Sequence, residues 1–251
     1  DELIKIKKKN NLVLIEDPCE SLGTKFRNKY LGSFGEFSSF SFYSSHQISS
    51  GEGGMICCKN PEDYEIIKAL RSHGWSRGLK NENKIARKHK NLDSRFIFYN
   101  SGFNLRSTDI AASIGLAQFK DLDKFIKIRN NNRKKIIKAI SKNNKIKSNI
   151  NVIIENKNVK PSWFGIPILL KNKKNKKKFI KKIEKKGVET RPIISGNFLR
   201  QPSVNKYKLI KKNRMKNSEY VNKNGFFVGL SSTNLPNNKI KKLIRAFETS
   251  L

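Results

Sequence analysis

The sequence predicts an α/β protein in two parts, an open-sheet unit over residues 1–143 and a smaller α/β unit over residues 144–251. Three observations predict it. Leu12 to Ile15 (LVLI) is a short continuous apolar run ending in Glu16-Asp17-Pro18. That is the pattern of a strand buried on both faces, with acids just past its C-terminal end. Asn60-Pro61-Glu62-Asp63 then opens a helix, with an asparagine cap, proline at the first helical position and acids in the first turn. Near Asn143 to Ser148 the composition shifts to a polar linker, and a second set of strands and helices follows it. The 251 residues are enough for a sizeable core.

Taken in order, Asp1 to Lys9 (DELIKIKKK) reads as the end of a helix that begins earlier, which predicts a chain lacking an N-terminal portion. After the first strand, Gly23 to Gly35 reads as a loop or small hairpin. Phe37 to Tyr43 and Gly54 to Cys58 read as strands, and the helix opened at Asn60 runs to about Ser72 with Ile66, Ile67 and Leu70 on one face. His73 to Tyr99 is polar and irregular. Ser107 to Phe119 reads as a helix capped by Ser107 or Thr108, with Ala111, Ala112, Ser113 and Gly115 allowing close packing. A basic helix follows over roughly Asp121 to Lys142. In the second part, strands are expected at Ile150 to Ile154, Phe164 to Leu169, Val188 to Ile194 and Phe226 to Leu230. Helices are expected at about Lys174 to Lys186, ending at Gly187, and at Asn217 to Asn222 and Asn237 to Phe247.

The formal charge of +34 invites a nucleic-acid reading. Lysine, asparagine and isoleucine are inflated together, loops included, so the charge reads as compositional. Basic runs such as Lys171 to Lys186 lack interleaved aromatics. No specific nucleic-acid partner is expected, only salt-dependent sticking to polyanions. The three cysteines form no disulfide framework and no CxxC pair, no apolar run is long enough to span a membrane, and no signal peptide is visible. A reducing cytoplasm is the expected setting. Neither His73 nor His89 has a second carboxylate or a cysteine at metal-ligand spacing, and no metal site is expected.

The stretch FSSFSFYSSHQISSGEGGM, Phe37 to Met55, carries the chemistry. It starts as a strand, breaks into a polar turn holding His46, and passes through Gly51, Gly53 and Gly54. No lysine lies between Lys29 and Lys59, in a chain where lysine is abundant. Asp17 after a buried strand, Ser41 in the next strand and His46 before GEGG place polar groups at one end of an α/β sheet, where open sheets bind ligands. Taken alone, Asp17 reads as a turn or cap residue, Ser41 as strand polarity and Asn104 as part of a helix-start turn.

The stretches EDPCESLG (Glu16 to Gly23), LGSFGEFSSFSFYSSHQISSGEGGM (Leu31 to Met55) and SGFNLRSTDIAASIGLAQ (Ser101 to Gln118) resemble the DegT/DnrJ/EryC1/StrS family. The similarity runs in order along nearly the whole chain. It implies a fold-type-I, pyridoxal-phosphate-dependent transferase, with 1–143 the C-terminal part of the large cofactor domain and 144–251 the small domain. It also implies roles. Asp17 matches the acid that keeps the pyridine nitrogen protonated, so that the ring can absorb electrons. Glu20 matches a position beside the ring, Ser41 a phosphate-binding serine, and Asn104 an asparagine reaching the cofactor phosphate of the neighbouring subunit. A homodimer with shared active sites is therefore expected.

His46 is the departure. The family's aminotransferases have their Schiff-base lysine here. Histidine at this place marks the subgroup that removes the C3 hydroxyl of nucleotide-linked 4-keto-6-deoxyhexoses, holding pyridoxamine phosphate non-covalently and moving protons with imidazole. The segments PSWFG (Pro161 to Gly165) and ETRPIISGNFLRQP (Glu189 to Pro202) resemble that subgroup's tail, and Arg191 and Arg200 are expected to bind an anion of the substrate. One branch of the subgroup carries an iron–sulfur cluster, which needs four thiolates. Only Cys19 stands at a plausible position, so the cluster-free branch is implied, recharged by an amino acid such as glutamate and making a deoxysugar for a surface polysaccharide. Two other readings stay open at this point: an aminotransferase using another lysine, and a non-catalytic polyanion-binding paralogue.

Overall fold

A computed structural model of the chain describes residues 1–171, 175–207 and 215–251. By internal contacts the chain divides into two compact units, Asp1–Leu122 and Asp123–Leu251.

In the first unit, α1 (Glu2–Lys9) leads into β1 (Ile15–Glu16), and a small hairpin follows from β2 (Lys25–Phe26) and β3 (Lys29–Tyr30). Arg27 and Asn28 turn that hairpin in left-handed backbone, at φ +47° and +64°, which matches the twist of two-residue hairpins. β4 (Phe37–Ser41) and β5 (Gly54–Cys58) complete a three-stranded sheet of order β1-β4-β5. β1 runs parallel to β4, with Ile15 opposite Phe37 and Glu16 opposite Ser38, while β5 runs antiparallel with Ser41 opposite Gly54. α2 (Pro61–Leu70) begins as expected, the Asn60 side chain accepting from the Glu62 amide at 2.8 Å. The stretch from His73 to Tyr99 is more ordered than its polarity implies. It contains α3 (Glu82–Lys88), and Ile85 and Ile97 join Ala69 and Leu79 in a small core. α4 (Asp109–Phe119) is capped by the Thr108 hydroxyl, which accepts from the Ala111 amide at 3.2 Å.

Two expectations for this unit are corrected. The run Leu12 to Ile15 is not buried on both faces: Val13 is 64% and Ile15 68% exposed. β1 has a single neighbour, β4, and nothing among the described residues covers its outer side. Likewise α4, apolar all round, buries none of its own residues, and Ile110, Leu116 and Phe119 are exposed.

The second unit starts at α5 (Leu122–Ser141), whose Ile136 and Ile140 belong to its core. This start lies ahead of the composition change at Asn143. The segment read as a linker is instead α6 (Asn144–Asn149). Its Ile146 is fully buried, and the Asn143 side chain caps it, accepting from the Ile146 amide at 3.0 Å. β6 (Ile150–Val152), β7 (Val159–Lys160) and β8 (Gly165–Leu170) follow, then α7 (Lys176–Glu184), β9 (Arg191–Pro192), α8 (Lys216–Asn224), β10 (Gly225–Gly229) and α9 (Asn237–Glu248). The expected start of the α7 helix at Lys174 lies outside the described residues. The strand expected over Val188 to Ile194 is paired only at Arg191–Pro192. β6, β8, β10 and β9 form an antiparallel sheet in that order. Alternation puts Ile166, Ile168 and Leu170 of β8 on one face with Phe226 and Val228 of β10. Phe179 and Ile183 of α7 and Ile240 and Phe247 of α9 close over them. Among the described residues no helix is long and apolar enough to cross a membrane.

Candidate functional site

The candidate site grows from the C-terminal end of β1 and the turn after β4. Two acids follow one another there and do different work. The Glu16 carboxylate accepts from three backbone amides, Gly32 at 2.7 Å and Phe34 and Gly35 at 2.6 Å each, and so ties the 31–36 loop to the strand. Asp17 is exposed just beyond the strand. The Cys19 thiol, then the Cys19 backbone N–H, then the Ser39 hydroxyl hold its carboxyl below the usual carboxylate range, against a smaller opposing effect of burial. The Cys19 amide donates to Oδ1 at 3.3 Å and the Ser39 hydroxyl at 3.4 Å. Burial, with Asp17 next, raises the Cys19 thiol. Asp17 therefore stays an anion and an acceptor.

Register explains why serines surround it. Glu16 sits opposite Ser38, so Asp17 falls beside Ser39. Ser41, two residues on, shares the face of Ser39. Ser38 points the other way and is buried. The Ser41 hydroxyl accepts from the Tyr43 amide at 3.2 Å, and its own proton is left to donate outward.

The turn that carries His46 is packed. The Phe42 amide donates to Gly53 O and the Ser50 amide to Phe42 O, each at 2.9 Å, closing the loop at its base. Gln47, Ile48 and Ser50 are buried within it. The Gln47 side chain donates to Glu20 O at 2.6 Å. Gln118 of α4 clasps Ser49 both ways, accepting from its amide at 3.0 Å and donating to its carbonyl at 2.5 Å. Gly54 is required by space, since a Cβ would sit 2.8 Å from Phe40 O across the ladder, and Gly51 by its left-handed φ of +81°.

His46 is thereby fixed. Its side chain is 13% exposed, Nε2 lies 3.9 Å from Glu20 Oε1, and Nδ1 is buried without a hydrogen-bond partner among the described residues. Tyr43 meets the imidazole edge-on, with ring centroids 5.7 Å apart. One end of the sheet thus gathers an ionised carboxylate, a free serine hydroxyl and a positioned imidazole with an unused nitrogen. Such a set can pair a cationic ring nitrogen, donate to an anion and move a proton.

Of the residues expected from the sequence, Asp17, Glu20, Ser41 and His46 are brought together. Asn104 has other contacts: a bridge to Ser72 and a hydrogen bond from Arg106 Nε at 3.2 Å. Arg191 and Arg200 belong to the second unit. Arg191 Nη2 lies 2.6 Å from Glu189 Oε1, and Arg200 Nε donates to Glu219 Oε2 at 2.8 Å while its Nη2 holds the other oxygen. The Arg200 fork, with Asn197 next, pulls the Glu219 carboxyl down to about 2. Glu16, Ser39, Gln47 and Gln118 escaped sequence reasoning. All four lie in the stretches that carry the resemblance, but their partners are backbone groups or a register neighbour, which spacing does not reveal.

Comparison with known proteins shows the family and the fold. The family model described as "DegT/DnrJ/EryC1/StrS aminotransferase family" matches residues 1–248. A GDP-4-keto-6-deoxy-D-mannose 3-dehydratase of Escherichia coli O55:H7 is 35% identical over 234 residues, 91% of this chain and 59% of that protein. The solved structure of the E. coli GDP-4-keto-6-deoxy-D-mannose-3-dehydratase with bound hydrated PLP is similar over 98% of this chain and 63% of its own, with a TM-score of 0.86 and 33% identity. A structure of a GDP-4-keto-6-deoxymannose-3-dehydratase with a trapped PLP-glutamate geminal diamine covers 98% of this chain and 64% of its own, with a TM-score of 0.87 and 32% identity. The chain spans about 59% of the length of the first of these relatives.

Proposed function

Because the chain belongs to the DegT/DnrJ/EryC1/StrS aminotransferase family, we propose that the protein carrying it removes the C3 hydroxyl of a nucleotide-linked 4-keto-6-deoxyhexose, using pyridoxamine 5′-phosphate. The observation that carries this is His46, held by a packed turn at the place of the family's Schiff-base lysine, with Nδ1 unpartnered. The residues fit the cofactor. The Asp17 anion suits a protonated pyridine nitrogen, the Ser41 hydroxyl suits the phosphate, and Glu20 stands beside the ring position. When bound, the cofactor supplies the amine that condenses with the sugar ketone and a ring that takes up electrons.

The chain's own groups do the rest. Asp17 holds the ring nitrogen in its cationic form. The carboxylate of Glu20 lies 3.9 Å from His46 Nε2, where it orients an imidazole suited to proton transfer. With the cofactor bound, His46 would be the group placed to take a proton from the carbon bearing its amine and to give one to the departing C3 oxygen. The balance closes with glutamate as donor. The sugar loses one oxygen atom, glutamate is oxidised by two electrons to 2-oxoglutarate, and its nitrogen leaves as ammonia. The relatives' names support a GDP-linked substrate, and the PLP-glutamate adduct of a neighbour supports the donor.

A homodimer is part of this reading. Among the described residues Asn104 bridges to Ser72 and accepts from Arg106 Nε, and in this reading it serves the neighbouring subunit's cofactor phosphate. In the same reading residues 1–143 form the C-terminal part of the cofactor domain and 144–251 the small domain, where Arg191 and Arg200 meet the substrate's anion by exchanging Glu189 and Glu219 for it.

The test is chemical trapping. Borohydride should fix no cofactor to a lysine of the protein. His46→Lys should become trappable and should stop deoxygenation while permitting amino-sugar formation. A trapped lysine adduct in the unsubstituted protein, or undiminished deoxygenation by His46→Lys, would overturn the proposal.

A further inference from the structure

The net charge of +34 is not spread evenly along the chain. A compositional excess would follow length. Residues 1–122 carry 19 Lys and Arg against 14 Asp and Glu, a net +5, whereas residues 123–251 carry 35 against 6, a net +29. The charge therefore belongs to the second unit, and the compositional reading of it is corrected. Within that unit α5, α6, α7 and α9 all send apolar residues into one core, among them Ile136, Ile146, Ile183 and Phe247. They form a continuous layer. The Phe179 ring of α7 lies 6.0 Å from that of Phe247 in α9, and the Asn143 cap of α6 donates to Glu248 of α9 at 2.9 Å. Helical periodicity turns the cations away from that core. Lys134 and Lys138 of α5, Lys177 and Lys181 of α7, and Lys242 and Arg245 of α9 are exposed, each pair about one turn apart. None of these six has an ion pair among the described residues, because the acids are committed elsewhere. Glu155 pairs with Arg133, Glu189 with Arg191 and Glu219 with Arg200. Glu184 accepts from the Thr190 hydroxyl at 2.6 Å.

We propose that this helical layer is a docking face for a bilayer surface rich in anionic phospholipid, to which the protein attaches reversibly and by charge alone. The cations are nearly all lysines, point charges that neither fork nor stack, so they suit a diffuse field of headgroups better than a shaped anion. No aromatic side chain of the four helices is exposed, which removes the stacking that a single-stranded nucleic acid uses. A duplex is read by an element that enters a groove. Here the charge is spread over neighbouring helices that all lie on one core, and a broad face of charge meets a broad face of charge. A second copy of the same face would be repelled. Apolar residues of the layer point into the core, so nothing on it inserts into the acyl region and attachment is sensitive to salt. The inference goes beyond the deoxygenation reading and does not depend on it.

The test is co-sedimentation of the protein carrying this chain with vesicles of phosphatidylcholine, alone or with about one-third phosphatidylglycerol, beside titration with a random-sequence DNA duplex. The protein should sediment with the anionic vesicles, stay in solution with phosphatidylcholine alone, and be released as salt rises from about 50 to 500 mM. Replacing Lys134, Lys138, Lys181 and Lys242 together by alanine should weaken vesicle binding by roughly 10²- to 10³-fold, since each surface lysine contributes ~1 kcal/mol and ~1.4 kcal/mol is tenfold. Arginine at the same four positions keeps the charge and should keep the binding. Replacing Lys84, Arg87, Lys88 and Lys90 of the first unit by alanine removes the same charge and should leave binding within a few-fold. Equal loss in the two alanine sets would overturn the docking face, as would binding to phosphatidylcholine alone or none to the anionic vesicles at low salt. Tighter binding to the duplex than to the vesicles, lost with the same four lysines, would assign the face to nucleic acid and overturn the membrane. The readout needs no turnover, so its failure leaves the deoxygenation reading untouched.

Discussion

Adjacent carboxylates at Glu16 and Asp17 should separate cleanly on substitution. Glu16→Gln keeps the size of the side chain but removes its charge. It also turns an amide NH2 toward three backbone donors, those of Gly32, Phe34 and Gly35. A hydrogen bond to a charged group contributes roughly 1.5–3 kcal/mol. A glutamine oxygen still accepts one or two of the three, so the expected loss is about 2–4 kcal/mol. For a protein of this size that corresponds to roughly 5–15 °C in Tm. Asp17→Asn, by contrast, removes an exposed carboxylate whose contacts are the Cys19 amide and the thiol and hydroxyl beside it. Its amide oxygen keeps the Cys19 bond, so stability should change by less than about 1 kcal/mol. The cofactor should bind far more weakly, because a neutral amide does not hold a pyridine nitrogen in its cationic form. Thermal melting and a spectroscopic titration with pyridoxamine phosphate, on both variants, make the assay. Equal destabilisation of the two, or cofactor binding lost only in Glu16→Gln, would refute the assignment of separate roles.

Mixing inactive Asp17→Ala and Asn104→Ala proteins should restore activity, since each mixed dimer then has one whole site; no restoration would place Asn104 within its own subunit's site or in none. Gln118→Ala should leave both backbone groups of Ser49 unpaired, which costs ~1–3 kcal/mol, and should raise hydrogen exchange at the Ser49 amide without changing that of Ile97. Glu36, Asp93 and Glu219 are held at about 2 by Lys7, Arg95 and Arg200. All three stay ionised in the folded chain below the pH at which the unfolded chain protonates them. Stability should therefore be lost as pH falls from about 4.5 toward 2, and added salt should shrink the effect because the pairs are exposed. A flat acid limb in denaturant melts would contradict it.

Much of the fold was legible because local signals were strong. The Asn60-Pro61 helix start, the β5 strand at Gly54–Cys58 and the C-terminal glycine at Gly187 all rest on short-range stereochemistry. The errors share one cause. Leu12 to Ile15 and α4 were read by composition, and composition reports what a segment would bury, not whether a partner is present to bury it. Polar composition misled in the opposite direction at Asn144–Asn149, where one isoleucine, Ile146, suffices to anchor a capped turn of helix. At the site, Asp17, Ser41 and His46 were visible through the resemblance. What holds them was not. Gln118 clasps Ser49 from far along the chain, and the Glu16 bonds run to backbone amides whose positions only the folded loop defines.

The central claim is that His46, where a lysine would tether the cofactor, commits the protein to deoxygenation. The most direct measurement supplies the protein carrying this chain with a GDP-linked 4-keto-6-deoxyhexose, pyridoxal phosphate and glutamate, and determines the sugar product together with ammonia and 2-oxoglutarate. The account predicts a 3-deoxy-4-keto sugar with one ammonia and one 2-oxoglutarate for each sugar converted. An amino sugar formed with 2-oxoglutarate and no ammonia would contradict it.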